Sequence, residues 1–114
     1  MDFACKDFKL EEVVRCSLGL TKGEYKVLNF LIKLKDEKRL SKEIAKEVNL
    51  DLSTTQRCLK KLHEKDIINR SQKNLNSGGY VFVYSIQDKT QIKKIISQII
   101  SKWAEKFHNE INRW

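Results

Sequence analysis

The stretch DLSTTQRCLKKL, residues Asp51 to Leu62, opens with hydroxyl, amide and guanidinium side chains and only then turns apolar at helical spacing. At 100° per residue from Ser53, Thr55, Leu59 and Leu62 fall at about 200°, 240° and 180°, which makes one buried stripe. Ser53, Thr54, Gln56, Arg57, Lys60 and Lys61 fall between about −60° and 100°, on the opposite side. That second face is polar or basic throughout. Asp51 or Ser53 is placed to cap the first turn, and the helix should run to about Lys65. Capping alone also accounts for hydroxyls at Ser53 and Thr54, so those two residues have a structural explanation beside any binding role.

Working outward from this helix, Ser41 to Val48 reads as a short helix with Ile44, Ala45 and Val48 facing inward, and Asn49-Leu50-Asp51 interrupts it. Two short helices joined by a few turn residues match a helix-turn-helix. Upstream, Leu10, Val13, Val14 and Leu18 have helix-compatible spacing that ends near Gly19. Thr21 and Glu24 then form a capping box for a helix carrying Tyr25, Leu28, Leu31 and Ile32. Downstream, the polar strand Asn69 to Lys73, the turn Asn74 to Gly79 and the β-branched and aromatic run Tyr80 to Tyr84 predict a hairpin, with Asn and Gly supplying positive φ angles. The expected fold is mainly α with a small β-hairpin (α+β), a winged helix-turn-helix with a long C-terminal helix.

Apolar residues make up 40% of the 114 and charged residues 33%, which suits one ordered domain and sets disorder aside. No apolar run approaches the roughly 20 residues that span a bilayer, and Met1-Asp2 begins no secretion signal, so a cytoplasmic protein without membrane attachment is expected. Cys5, Cys16 and Cys58 are odd in number and widely spaced, with only two histidines to join them. That pattern argues against a structural metal or a disulfide framework, and no cofactor is expected.

The formal net charge is +8, and its placement is informative. Lys38 to Lys73 holds ten Lys/Arg against five Asp/Glu, whereas Met1 to Glu37 balances at seven each. A localised positive field favours a polyanion through counterion release. A solvated lysine-rich face would produce the same count.

Asp88 to Trp114 reads as a helix of about 25 residues and about 37 Å, with Asp88 and Gln91 offering a second capping box. Its stripe includes Ile92, Ile96, Ile99, Trp103, Phe107 and Ile111, more than a small three-helix core covers. Two explanations compete: a homodimerisation arm of the domain spanning residues 1–87, completed by the first helix, or a bent helix folded onto its own core.

The runs LGLTKGEYKVLNFLI (Leu18 to Ile32), SKEIAKEVNLDLSTTQRCLKKL, IINR and GGYVFVYS resemble archaeal and bacterial winged-helix transcription regulators of the TrmB-like and MarR-like groups. The resemblance covers roughly Leu18 to Ile86. It implies that residues 51–65 are the recognition helix, that the hairpin of residues 67–86 is the wing, and that flanking helices dimerise. No second domain is expected after Trp114, so the sugar-sensing part of full-length TrmB-like proteins has no counterpart. The wing tip also lacks the arginine that MarR-like wings commonly place in the minor groove, leaving Arg70, Lys73, Asn74 and Asn76 as substitutes. Abundant Lys, Ile and Asn with no Pro suit an AT-rich genome and an archaeal source.

The expected function is sequence-specific binding of double-stranded DNA in transcription regulation. Arg57 suits guanine O6 and N7, Gln56 suits adenine, and Lys60, Lys61, Lys42 and Arg70 suit phosphates. The alternative is a winged-helix adaptor that binds protein within a transcription complex. An enzyme has no supporting motif, since phosphate-loop, nucleophile-elbow and zinc-protease patterns are all missing. Cys58 lies near 140° on the helical wheel, where a small semi-buried hydrophobe is the expected role and a redox sensor the competing one. His63 reads as a helix-surface residue, and Trp103 and Trp114 as interface or core groups.

Overall fold

A computed structural model describes residues 7–35 and 37–114. Cys5 lies outside the described residues. Helix α1 (Leu10–Leu18) stops at Gly19, whose φ of 65° is the left-handed conformation that glycine adopts without strain. Helix α2 (Lys22–Leu34) starts with the expected capping box: Glu24 N–H donates to Thr21 Oγ1 and Thr21 N–H to Glu24 Oε1, both at 3.2 Å. Helix α3 (Ser41–Val48) buries Ile44, Ala45 and Val48, as expected, and ends at left-handed Asn49 with φ 57°.

Helix α4 (Leu52–Glu64) is capped by Asp51 and not by Ser53. The Asp51 carboxylate accepts from Thr54 N–H at 3.2 Å and from the Ser53 hydroxyl at 2.6 Å, so Ser53 supports the cap instead of forming it. Thr55, Leu59 and Leu62 are fully buried, as the wheel required. Thr55 spends its hydroxyl on the Asp51 carbonyl at 3.0 Å, which removes the cost of a buried polar group.

Strands β2 (Ile68–Asn74) and β3 (Tyr80–Ile86) form the hairpin in an unbroken antiparallel register from Ile68 opposite Ile86 to Asn74 opposite Tyr80. The positive φ angles of the loop belong to Gly78 (96°) and Gly79 (75°) alone, so the asparagines expected to share that role do not. A two-residue strand β1 (Arg39–Leu40), which periodicity does not predict, pairs with Tyr84 and Val83 and makes the sheet order β1-β3-β2. The α+β winged helix is therefore present with three strands.

Val27, Leu28 and Leu31 of α2, Ile44 of α3, Leu59 and Leu62 of α4, and Ile67-Ile68 form the centre of the core. Burying such side chains contributes about 1.5–3 kcal/mol each, which fixes α3 and α4 against α2. Helix α5 (Lys89–Asn112) packs on α1 through its first turns, and of its residues only Ile92 is buried. Asp88 caps it by accepting from Thr90 N–H at 3.1 Å, without a reciprocal bond from Gln91. Ile95, Ile96 and Ile99 pack against the core edge, whereas Trp103, Phe107, Ile111 and Trp114 are exposed on a rod that extends the molecule to 65 Å.

Candidate nucleic-acid interface

The site begins at the N-terminus of α4, where Asp51 gathers the Ser53 hydroxyl and the Thr54 amide. The bond from Ser53 is the largest influence holding the Asp51 carboxyl down to about 2, and the bonds from Thr54 add to it. The carboxylate is thus ionised at any physiological pH, and its charge suits a helix N-terminus. Arg57 Nη2 donates to Thr54 Oγ1 at 3.2 Å, so the guanidinium is tethered one turn back along its own helix.

Gln56, Arg57, Lys60 and Lys61 are exposed, as is Ser53, while Thr54 is half-buried. Lys61 lies 4.0 Å from Glu64, an exposed pair worth little. A groove of about 460 Å³ separates α4 from the hairpin. Lys42 at the start of α3, Gln56 and Lys73 of β2 line it together, over a floor that includes Leu40, Leu52, Val81 and Phe82. Arg57, Lys60, Lys61, Arg70, Asn74 and Asn76 do not line this groove. Asn74 accepts from Gln72 Nε2 at 3.3 Å, and Asn76 is exposed in the turn. Arg70 lies over the Phe82 ring at 4.3 Å from its centroid, and Tyr80 meets the same ring edge-on at 5.4 Å. Helix α3, through Lys42, and the hairpin, through Lys73, therefore each bring a cation to the groove beside α4.

Two residues of this surface escape the polar-face reading. Leu52 is the first residue of α4 and is 45% exposed, and Phe82 forms both groove floor and cation–π platform. The available signals were the four-residue interval from Leu52 to Gln56 and the alternation of β3.

Cys58 is buried against α2, with its Sγ close to Gly23, and not at the edge between buried and exposed. Burial pushes its thiol up from the ordinary value, Glu24 adds to the rise and Arg57 opposes it. A thiol so placed is a small core hydrophobe and not an activated nucleophile. Cys16 is exposed. No helix among the described residues is long and apolar enough to cross a membrane.

A second groove, of about 600 Å³, runs between α1, α2 and α5 and is lined by Leu10, Val13, Val14, Ile92 and Ile96 among others. Its walls continue into the exposed stripe of α5.

A helix-turn-helix, a cationic face and a hairpin wing within a three-stranded sheet define a winged-helix protein. The chain belongs to the DnaD N-terminal domain family, which matches residues 8–107. It is similar to a solved protein of Methanosarcina mazei Go1 described as a possible transcriptional regulator, at 45% identity and a TM-score of 0.91, over all of this chain and 95% of that one. An uncharacterized protein of Methanocaldococcus jannaschii is 28% identical over 96% of this chain and 79% of its own. The fold is shared at 15% identity and a TM-score of 0.58 with a Staphylococcus aureus MepR variant bound to an oligodeoxyribonucleotide, over 91% of this chain and 72% of that one. The resemblance to winged-helix regulators, with archaeal relatives, is borne out.

Proposed function

We propose that this protein is a transcription regulator that binds double-stranded DNA in a sequence-dependent manner, as a homodimer in the cytoplasm. The observation that carries this reading is the division of α4. Thr55, Leu59 and Leu62 are fully buried while Gln56, Arg57, Lys60 and Lys61 are exposed beside the cationic groove formed with the hairpin.

A helix of this kind enters the major groove, where Arg57 pairs with guanine O6 and N7, and Gln56 with adenine N6 and N7. Lys42, Lys60, Lys61 and Lys73 neutralise flanking phosphates, and each one engaged releases counterions. The hairpin follows the backbone or the adjacent minor groove, with Arg70, Asn74 and Asn76 as its contacts. Ser53 and Thr54 reach DNA only through what remains of their hydrogen-bonding capacity after the Asp51 cap. Ile92, Ile96, Ile99, Trp103, Phe107 and Ile111 of α5, with α1, supply the dimer surface. Two recognition helices about 34 Å apart would read half-sites one helical turn apart.

The exposed aromatics of α5 support a second reading, a winged-helix adaptor that captures a protein partner. Selection of bound sequences from random duplexes at about 50 mM and 200 mM salt separates the two. A regulator enriches a pseudo-palindrome and loses affinity steeply with salt. Recovery of an unenriched pool at both salt concentrations would leave the adaptor.

A further inference from the structure

We infer that Leu52 is a specificity-determining residue that reads the 5-methyl group of a thymine within about two base steps of the base contacted by Gln56, an inference that rests on the duplex-binding reading above. Leu52 occupies the first position of α4, immediately after the Asp51 cap, and keeps 45% of its surface exposed. The other apolar residues of α4, Cys58, Leu59 and Leu62, are buried. Leu52 faces the groove between α4 and the hairpin, with Gln56 one turn further along the same side.

The first turn of a recognition helix is the part that meets base edges. In the major groove thymine is the base that carries a methyl group, and an apolar side chain is its natural contact. One helical turn advances about 5.4 Å against about 3.4 Å per base step. Leu52 and Gln56, four residues and about 6 Å apart along α4, therefore address base pairs within about two steps of each other, a methyl contact close to an adenine contact. Lys42 and Lys73 on the walls of the same groove hold the backbone that frames those bases. The combination favours A·T pairs at the α4 N-terminus through groups that a purely basic surface lacks.

The test takes the highest-affinity duplex from the random-sequence selection and replaces each thymine in turn with uracil, which keeps every hydrogen bond and loses only the methyl. The wild-type protein is expected to bind about fourfold more weakly at one or two positions per half-site, the value of one buried methyl group. Leu52→Ala should show no loss at those positions, and Leu52→Met should retain it. Equal affinity of the wild type for thymine and uracil at every position overturns the inference while leaving duplex binding intact. An unchanged thymine preference in Leu52→Ala also overturns it, since Leu52 would then merely pack against the hairpin. Wild-type protein that enriches no duplex sequence overturns this inference and the DNA-binding reading together.

Discussion

The Arg57 guanidinium is held 3.2 Å from the Thr54 hydroxyl oxygen, a bond within one turn of α4 that limits where the charge can point before anything binds. Restricting a long side chain in advance lowers the entropy lost on binding. Arg57→Ala is expected to cost about 1–3 kcal/mol on the preferred duplex and to relax selectivity at one base pair. Thr54→Val, which removes the tether together with the hydroxyl's support of the Asp51 carboxylate, should cost about 0.5–1.5 kcal/mol in the same direction. Competition binding against single-base variants measures both, and equal losses on preferred and random duplexes would remove Arg57 from base recognition.

Lys60 is exposed on the same side, and no acidic partner is found for it among the described residues. Lys60→Ala should therefore weaken all duplexes alike and reduce the slope of log K against log salt by about one. Titrations between about 50 and 200 mM salt give the slope directly. An unchanged slope would place Lys60 away from the phosphates.

Lys65 does different work from the other lysines of this segment. Its Nζ donates to the carbonyl oxygens of Leu18 and Gly19, both at 2.8 Å, and closes the C-terminus of α1. A cation at that end of a helix is favourable for the helix dipole as well. Lys65→Met is expected to lower unfolding stability by about 1.5–3 kcal/mol in urea, with the salt slope of DNA binding unaltered. A changed slope with unchanged stability would make Lys65 a DNA ligand.

Asp51 gives the cap a defined pH signature. Its folded value lies near 2, below the ordinary carboxylate value, so the stabilisation it contributes is fully present above about pH 4. That contribution is lost as pH falls through the folded value. Asp51→Asn should flatten stability against pH between about 4 and 2, and carboxyl chemical shifts should place the wild-type midpoint near the lower limit. A midpoint at the ordinary value would mean that Ser53 and Thr54 do not hold the carboxylate in solution.

The exposed stripe of α5 carries the oligomer prediction. Trp103 and Phe107 are 52% and 60% exposed on a helix of about 36 Å. A Trp103→Asp, Phe107→Asp double variant should sediment as a monomer at micromolar concentration and lose about a hundredfold in affinity for a two-half-site duplex. Its binding to a single half-site should be unaffected. Wild-type protein that sediments as a monomer would end the homodimer reading.

Each helix of the domain announced itself in sequence through neighbours three or four residues apart. The Thr21 and Glu24 box, the buried trio of Thr55, Leu59 and Leu62, and Gly19 as a stop are set by local geometry, because helix periodicity and capping are short-range. The hairpin was legible for the same reason, as β alternation flanks a glycine-containing turn. The polar side of α4 follows directly from its wheel, so the outward placing of Gln56, Arg57, Lys60 and Lys61 is legible in the sequence.

Tertiary structure alone decided what depends on residues far apart in the chain. Strand β1 exists only because Arg39 and Leu40 meet Tyr84 and Val83, and two residues carry no period of their own. Lys65 closes the C-terminus of α1 because the fold brings Leu18 and Gly19, more than 40 residues earlier in the chain, within its reach. Cys58 is buried because α2 passes close beside it, and Leu52 faces a groove because the hairpin stands opposite α4. Local interactions select the elements, but burial, and with it the availability of each side chain for binding, is a property of how those elements pack.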